Sequence, residues 1–177
     1  NMSKRLCIVF LLTLSSICYL GAQDYEQDFR AAQQAFQERL KTAQNTLKQH
    51  LINYPYSPYS DEILLMEGVL QTEKGKYKQA TKVFNKVEAK NLSRETQPML
   101  YFYGGYALIQ QKQYDKALSL FLRLKNQKSI YAPHAKYYAG YCYYCQQDFP
   151  RAMAEFLSVE HLGVYKKIAP YYIVQIY

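Results

Sequence analysis

Polar and apolar positions recur along this chain with a fixed period. Residues 98–124 form an apolar run, a short polar break at Gln110–Gln113 and a second apolar run. Inside that stretch Gly105 is followed by Tyr114, Ala117 and Phe121, and the same ladder occurs earlier as Gly68, Tyr77, Ala80 and Phe84. It returns later as Gly140, Phe149, Ala152 and Phe156, with the alanines 37 and 35 residues apart. Apolar residues three and four apart on either side of a polar break predict a helix–turn–helix unit, and the period predicts a stack of such units. The expected fold is therefore all-α, a solenoid of antiparallel helix hairpins. Its repeats fall near 24–54, 60–90, 97–127 and 132–162, with a partial one at 169–177.

Boundaries between units follow from turn chemistry. Phe29, Ala32, Phe36, Leu40, Ala43, Leu47 and Leu51 line one helix face, and Ala31 holds the glycine site of a divergent first repeat. No Gly, Asn or Asp marks a turn near Gln37–Arg39, so 24–54 reads either as a hairpin or as one long helix. Pro55 and Pro58 close this segment, because proline disfavours helix at the residue before it. Ser60 is then expected to cap a helix over 63–73, with Asp61 and Glu62 suited to its positive end, and a second helix spans 77–89. Pro98, Pro133 and Pro170 are each placed in the first turn of a helix, where a missing N–H costs nothing, and Pro150 likewise. The last of these opens a unit with no second helix, which predicts that the natural chain runs on past Tyr177 or self-associates through that uncapped helix.

Glycine inside a helix costs about 1 kcal/mol relative to alanine, so three glycines at one register imply a packing need. The sequence suggests Ala80, Ala117 and Ala152 as the facing contacts. Phe84, Phe121 and Phe156, with Tyr77, Tyr114 and Phe149, would fill the space between successive hairpins.

Composition changes the picture in two places. Twenty tyrosines and no tryptophan among 177 residues supply many rings with a polar tip, a side chain suited to partner-binding surfaces. The net charge of +8 comes from Lys and Arg scattered along the helices without a dense block, which fits a solvated outer face and argues against a nucleic-acid partner. At the start, Lys4-Arg5 precede an apolar core from Leu6 to Leu20 and a Gly21-Ala22 exit, the pattern of an export signal over residues 1–22, with Asn1 as a cloning remnant. That core is shorter than the roughly 20 residues of a spanning helix, so the mature chain, 23–177, is expected to be periplasmic or associated with the outer envelope, without a transmembrane span.

Candidate chemistry is sparse. Cys142 and Cys145 lie late in a helix rather than at its N-terminus, where thiols are activated, and no second cysteine pair completes a metal set with His134 or His161. No phosphate-binding glycine loop or serine elbow is present. The expectation is a chain that is not an enzyme and uses no cofactor or metal.

The repeated ladder resembles the tetratricopeptide repeat, in three good copies and one weak one covering nearly all of residues 23–177. Lys136 and Gln71 depart from it, each at a site that is usually large and apolar. The run from Asn53 to Glu62 is similar to connectors in bacterial envelope members of that family. The resemblance implies a right-handed superhelix whose first helices line a concave groove. Its groove positions would be Glu62, Leu65, Val69, Thr72 and Glu73, then Met99, Phe102, Tyr106, Ile109 and Gln110, then His134, Tyr137, Tyr141, Tyr144 and Cys145. The Lys and Asn pattern of members that bind chaperone tails is absent there, so carboxylate recognition of that kind is not expected. What remains is a scaffold for a protein or peptide partner, an extended strand or an apolar helix laid on an aromatic stripe. The alternative is an accessory region of a larger envelope enzyme or sensor whose active domain lies beyond residue 177.

Overall fold

A computed structural model of the chain describes residues 38–39, 41–54 and 56–177. The expected export signal, the apolar ladder from Phe29 to Phe36 with Ala31, Leu40 and Pro55 lie outside the described residues. Residues up to 46 form one unit and residues 47–177 another. Of the first, residues 38–39 and 41–46 are helical. The second opens on helical residues 47–53 (α1) and continues through α2 (Ser60–Glu73), α3 (Tyr77–Phe84), α4 (Gln97–Gln110), α5 (Tyr114–Leu124), α6 (Ala132–Cys145), α7 (Phe149–Leu157) and α8 (Tyr165–Ile176). Among the described residues the regular structure is entirely helical, and consecutive helices from α2 to α8 pack in antiparallel order as a solenoid of the tetratricopeptide type.

The helices alternate in character. α2, α4 and α6 are each 14 residues long, about 21 Å, and bury residues on more than one side because they contact both their hairpin partner and the first helix of the next hairpin. α3, α5 and α7 carry a single apolar stripe, such as Ala117, Phe121 and Leu124 on α5, and turn charged residues outward.

One contact recurs in each hairpin. The ninth residue of α2, α4 and α6 is Gly68, Gly105 and Gly140, and the eighth of α3, α5 and α7 is Phe84, Phe121 and Phe156. A Cβ added at Gly105 would lie 2.6 Å from the Phe121 ring, one at Gly140 would lie 3.0 Å from Phe156, and one at Gly68 would overlap Phe84. The side chain facing each glycine is thus the phenylalanine of its own hairpin, not the alanine expected from sequence. Ala80, Ala117 and Ala152 are fully buried one turn earlier on the same stripe. On its far side the ring meets the next repeat: Phe121 stacks on Tyr138 at 5.6 Å and Phe156 on Tyr172 at 5.0 Å. At the corresponding point beyond Phe84 stands Gly104, and a cavity of about 280 Å³ opens there beside Leu100, Leu108 and Leu120.

The turn inside each hairpin is also repeated. Gly75, Lys112 and Gln147 have φ of 70°, 59° and 63°, and each heads a two-bond cap of the preceding helix. In the second copy Lys112 N–H donates to the Ile109 carbonyl and Gln113 N–H to Leu108, and the pattern holds for 75–76 and 147–148. Only the first copy uses glycine, so the left-handed position is not visible from composition in the other two. Side chains then tie hairpin to hairpin. Gln111 Nε2 donates to the Tyr77 carbonyl at 3.2 Å, Gln146 Nε2 to Asp115, and Lys125 pairs with Glu155.

Three boundaries differ from expectation. Ser60 does not cap α2: it is the first helical residue, and its hydroxyl donates to the Ser57 carbonyl. The second helix ends at Phe84 rather than near 89, because α2 holds the following connector in another shape. Asp61 accepts from Glu88 N–H and from Asn91 Nδ2, while Glu62 accepts from Ser93 N–H and from the Thr96 hydroxyl. Pro170 is interior to α8 and not in its first turn. That helix starts earlier because Tyr165 stacks on Tyr137 at 4.6 Å, which puts Ile173 in the position held by glycine in the other repeats. Gln71, inside α2, is buried, and its amide oxygen has no hydrogen-bond partner among the described residues.

Two adjacent glycines make opposite predictions. On an unhindered helix, glycine to alanine gains about 1 kcal/mol. Gly105→Ala should instead lower stability by roughly 1–3 kcal/mol through the clash with Phe121. Gly104→Ala meets the Leu120 methyl at 3.2 Å, on a side chain that can move into the neighbouring cavity, and the Phe84 ring at an ordinary 3.9 Å. It should be neutral or stabilising by up to about 1 kcal/mol. Urea unfolding of the two variants checks the sign of each.

Candidate functional site

α4, α6 and the start of α3 bring together aromatic side chains from three successive repeats. Phe102, Tyr103 and Tyr106 project from α4, one turn or less apart, and Tyr138 comes from α6. Tyr77, at the start of α3, completes the set from the previous hairpin, because the tight 75–76 turn returns the chain beside the end of α2. With Thr72 and Glu73 these rings line a concavity of about 330 Å³. Neighbouring rings meet at angles: Tyr77 and Tyr106 at 73°, Tyr106 and Tyr138 at 75°, Tyr138 and Phe102 at 56°, Phe102 and Tyr103 at 79°. Their centroids are 5.2–6.1 Å apart. Edge-to-face contacts of this kind are individually favourable and hold the rings as walls rather than as a stack.

Two of the phenols, Tyr103 and Tyr106, share the concavity with one carboxylate, Glu73. Burial pushes the Tyr103 phenol above its ordinary value, with Tyr131 and then Glu73 adding to the effect. Burial likewise raises Tyr106, followed by Tyr77 and then Glu73. Glu73 itself is exposed.

Groove positions inferred from spacing divide into three groups. Phe102, Tyr106, Thr72 and Glu73 do line the concavity, although Thr72 is mostly covered. His134, Tyr141 and Tyr144 are half-buried and form a second aromatic group with α8: His134 hydrogen-bonds the Tyr165 hydroxyl, and Tyr141 and Tyr144 lie 5.9 and 5.2 Å from Tyr172. The others sit elsewhere. Ile109 is 7% exposed in the core with Phe121, Leu124 and Cys142, and Tyr137 is 8% exposed beneath Tyr165. Leu65 is buried, Met99 and Val69 pack against the same cluster, Glu62 is taken up by the 93–96 connector, and Gln110 is exposed at the helix end. Tyr77, Tyr103 and Tyr138 were missed as site residues. Counting fixed offsets from each glycine selects one line along the helix, whereas the concavity draws on a wider arc and on the neighbouring hairpin.

Cys142 and Cys145 are free thiols. Cys142 is fully buried, and burial, with Cys145 and Asp115 adding to it, pushes its pKa up to about 12. A thiol in that condition is a packing group rather than a nucleophile. Among the described residues no group of three or more His, Cys, Asp and Glu side chains is placed to hold a metal, and no helix is long and apolar enough to cross a membrane.

Residues 1–169 match the family described as Iml2/Tetratricopeptide repeat protein 39. The chain belongs to that family. Its membership agrees with the hairpin stack and with the glycine–phenylalanine register, and it implies protein partners. No curated protein and no solved structure matches the chain.

The buried phenols make a pH prediction. Burial is the first cause in each case: it pushes Tyr138 up to about 12 and raises Tyr137, Tyr141 and Tyr165 in the same direction. The unfolded chain ionises near the ordinary value of about 10, before these groups do in the folded state. Their contribution to stability is therefore complete below about pH 10 and is lost as pH rises toward 12. Phenolate absorbance should show a late fraction of tyrosines that titrates together with loss of helical circular dichroism. Titration of every tyrosine near pH 10 with the helices intact would contradict this.

Proposed function

We propose that this protein is a non-catalytic interaction scaffold of the bacterial cell envelope, holding an extended peptide or a partner helix against the aromatic inner face of its first helices. The observation that carries the reading is the line of half-buried rings across α4, α6 and α8: Phe102, Tyr106, Tyr138, Tyr141, Tyr144 and Tyr172. A solenoid needs its hairpin interfaces covered, but it does not need large rings on the open side. Aromatic rings left half-exposed on rigid helices present area at little entropic cost, because the partner does not have to order them. The charge-then-apolar pattern of residues 1–22 supports export.

The test is recovery of a partner from envelope extract by the full chain and by a Tyr106→Ala, Tyr141→Ala double variant. Both variant positions are half-buried rather than core, so the fold should survive, and circular dichroism and melting check that it does. Truncating two central aromatic anchors should cost at least about 2 kcal/mol of binding, a loss of roughly thirtyfold. Equal recovery by a folded double variant would remove the inner face from the mechanism.

A further inference from the structure

The concavity between α2, α4 and α6 joins aromatic walls to polar groups. Five rings form its walls, and one carboxylate, Glu73, stands at its edge. Among themselves these rings meet at 56–79°, while Phe102 and Tyr138 each stack on a ring outside the set, Tyr131 and Phe121. The face of an aromatic ring carries negative potential, and a cation brought within about 6 Å of several ring centroids is attracted by each. A carboxylate at the rim adds a full negative charge.

We propose that this aromatic box receives the cationic end of a lysine or arginine side chain from the partner polypeptide. The proposal rests on the reading of the inner face as a polypeptide-binding surface and adds to it the chemistry of one anchor. Several observations support the assignment over a purely apolar occupant. The lining is not purely hydrocarbon: Tyr77, Tyr103, Tyr106 and Tyr138 bring hydroxyl groups and Thr72 a further one, although the Thr72 hydroxyl already donates to the Gly68 carbonyl. Glu73, although exposed, lines the same concavity as the Tyr103 and Tyr106 rings. The concavity, about 330 Å³, is roomy enough for the end of one long side chain.

The experiment uses the whole protein with its tyrosine rings isotopically labelled and the signals of Tyr77, Tyr103, Tyr106 and Tyr138 assigned. Four probes are titrated at millimolar concentration: N-acetyl-lysine amide, N-acetyl-arginine amide, and their neutral counterparts N-acetyl-norleucine amide and N-acetyl-citrulline amide. The expected result is saturable shifts of those four rings with at least one cationic probe, and binding of its neutral counterpart weaker by about fivefold or more. Glu73→Gln, an exposed substitution that leaves the fold intact, should weaken the cation by about two- to fivefold, and added salt should reduce the difference from wild type. Equal shifts from the neutral counterparts, no shift from any probe, or no response to Glu73→Gln would each overturn the proposal. Choline is the fifth arm: if it binds more than tenfold tighter than both amino-acid cations, the occupant is a small quaternary ammonium and not a polypeptide side chain. Failure of these titrations, with partner recovery still dependent on Tyr106 and Tyr141, would leave the inner-face reading intact and remove only the cation.

Discussion

Each hairpin is closed by one steric fit, a phenylalanine ring lying on a glycine. Without a Cβ at Gly68, Gly105 or Gly140, the second helix approaches close enough for its ring to rest on the first helix's backbone. Much of the remaining architecture follows from that approach. The two helices must turn within a few residues, which the left-handed turn at Gly75, Lys112 and Gln147 accomplishes. Each buried ring then offers its other face to the next repeat, and Tyr138 and Tyr172 stack there. The unit that locks a hairpin therefore also sets the docking of its successor, so local and neighbour terms of solenoid stability are joined in one side chain.

The period and the register were legible in sequence because every hairpin has to repeat this fit. Gly105, Ala117 and Phe121 could be aligned with their counterparts without knowing which of them touched. The choice of alanine as the facing residue failed for a geometric reason: Ala117 and Phe121 are four apart on one helix face, and spacing cannot say which of two stacked residues meets the glycine. Lys112 and Gln147 hid the turn conformation because only Gly75 carries its usual mark. Pro170 misled in another way, since a proline usually announces a helix start, whereas here the stacking of Tyr165 on Tyr137 draws the start upstream. Asp61 and Glu62 were read as helix-end charges, and their tertiary role on the 88–96 connector needed the fold to appear.

The aromatic concavity was half legible. Phe102 and Tyr106 were found because large aromatics on the first helix of a repeat stand out at any offset. Ile109 and Tyr137 were placed with them by the same counting and proved to be core. Tyr77, Tyr103 and Tyr138 escaped because a concavity between repeats is a property of three helices and not of one. The same tyrosines connect stability with recognition. Tyr138 caps the buried Phe121 and forms a wall of the concavity, so the core and the inner face share atoms. A partner seated there would touch the element that holds two repeats together.

The dependence on the glycine–phenylalanine fit is tested most directly by a double-mutant cycle of Gly105→Ala and Phe121→Leu, read by chemical denaturation. If the fit governs the hairpin, the smaller side chain relieves the clash, and the double variant is more stable than the sum of the single losses by about 1 kcal/mol or more. Simple additivity of the two changes would contradict the account.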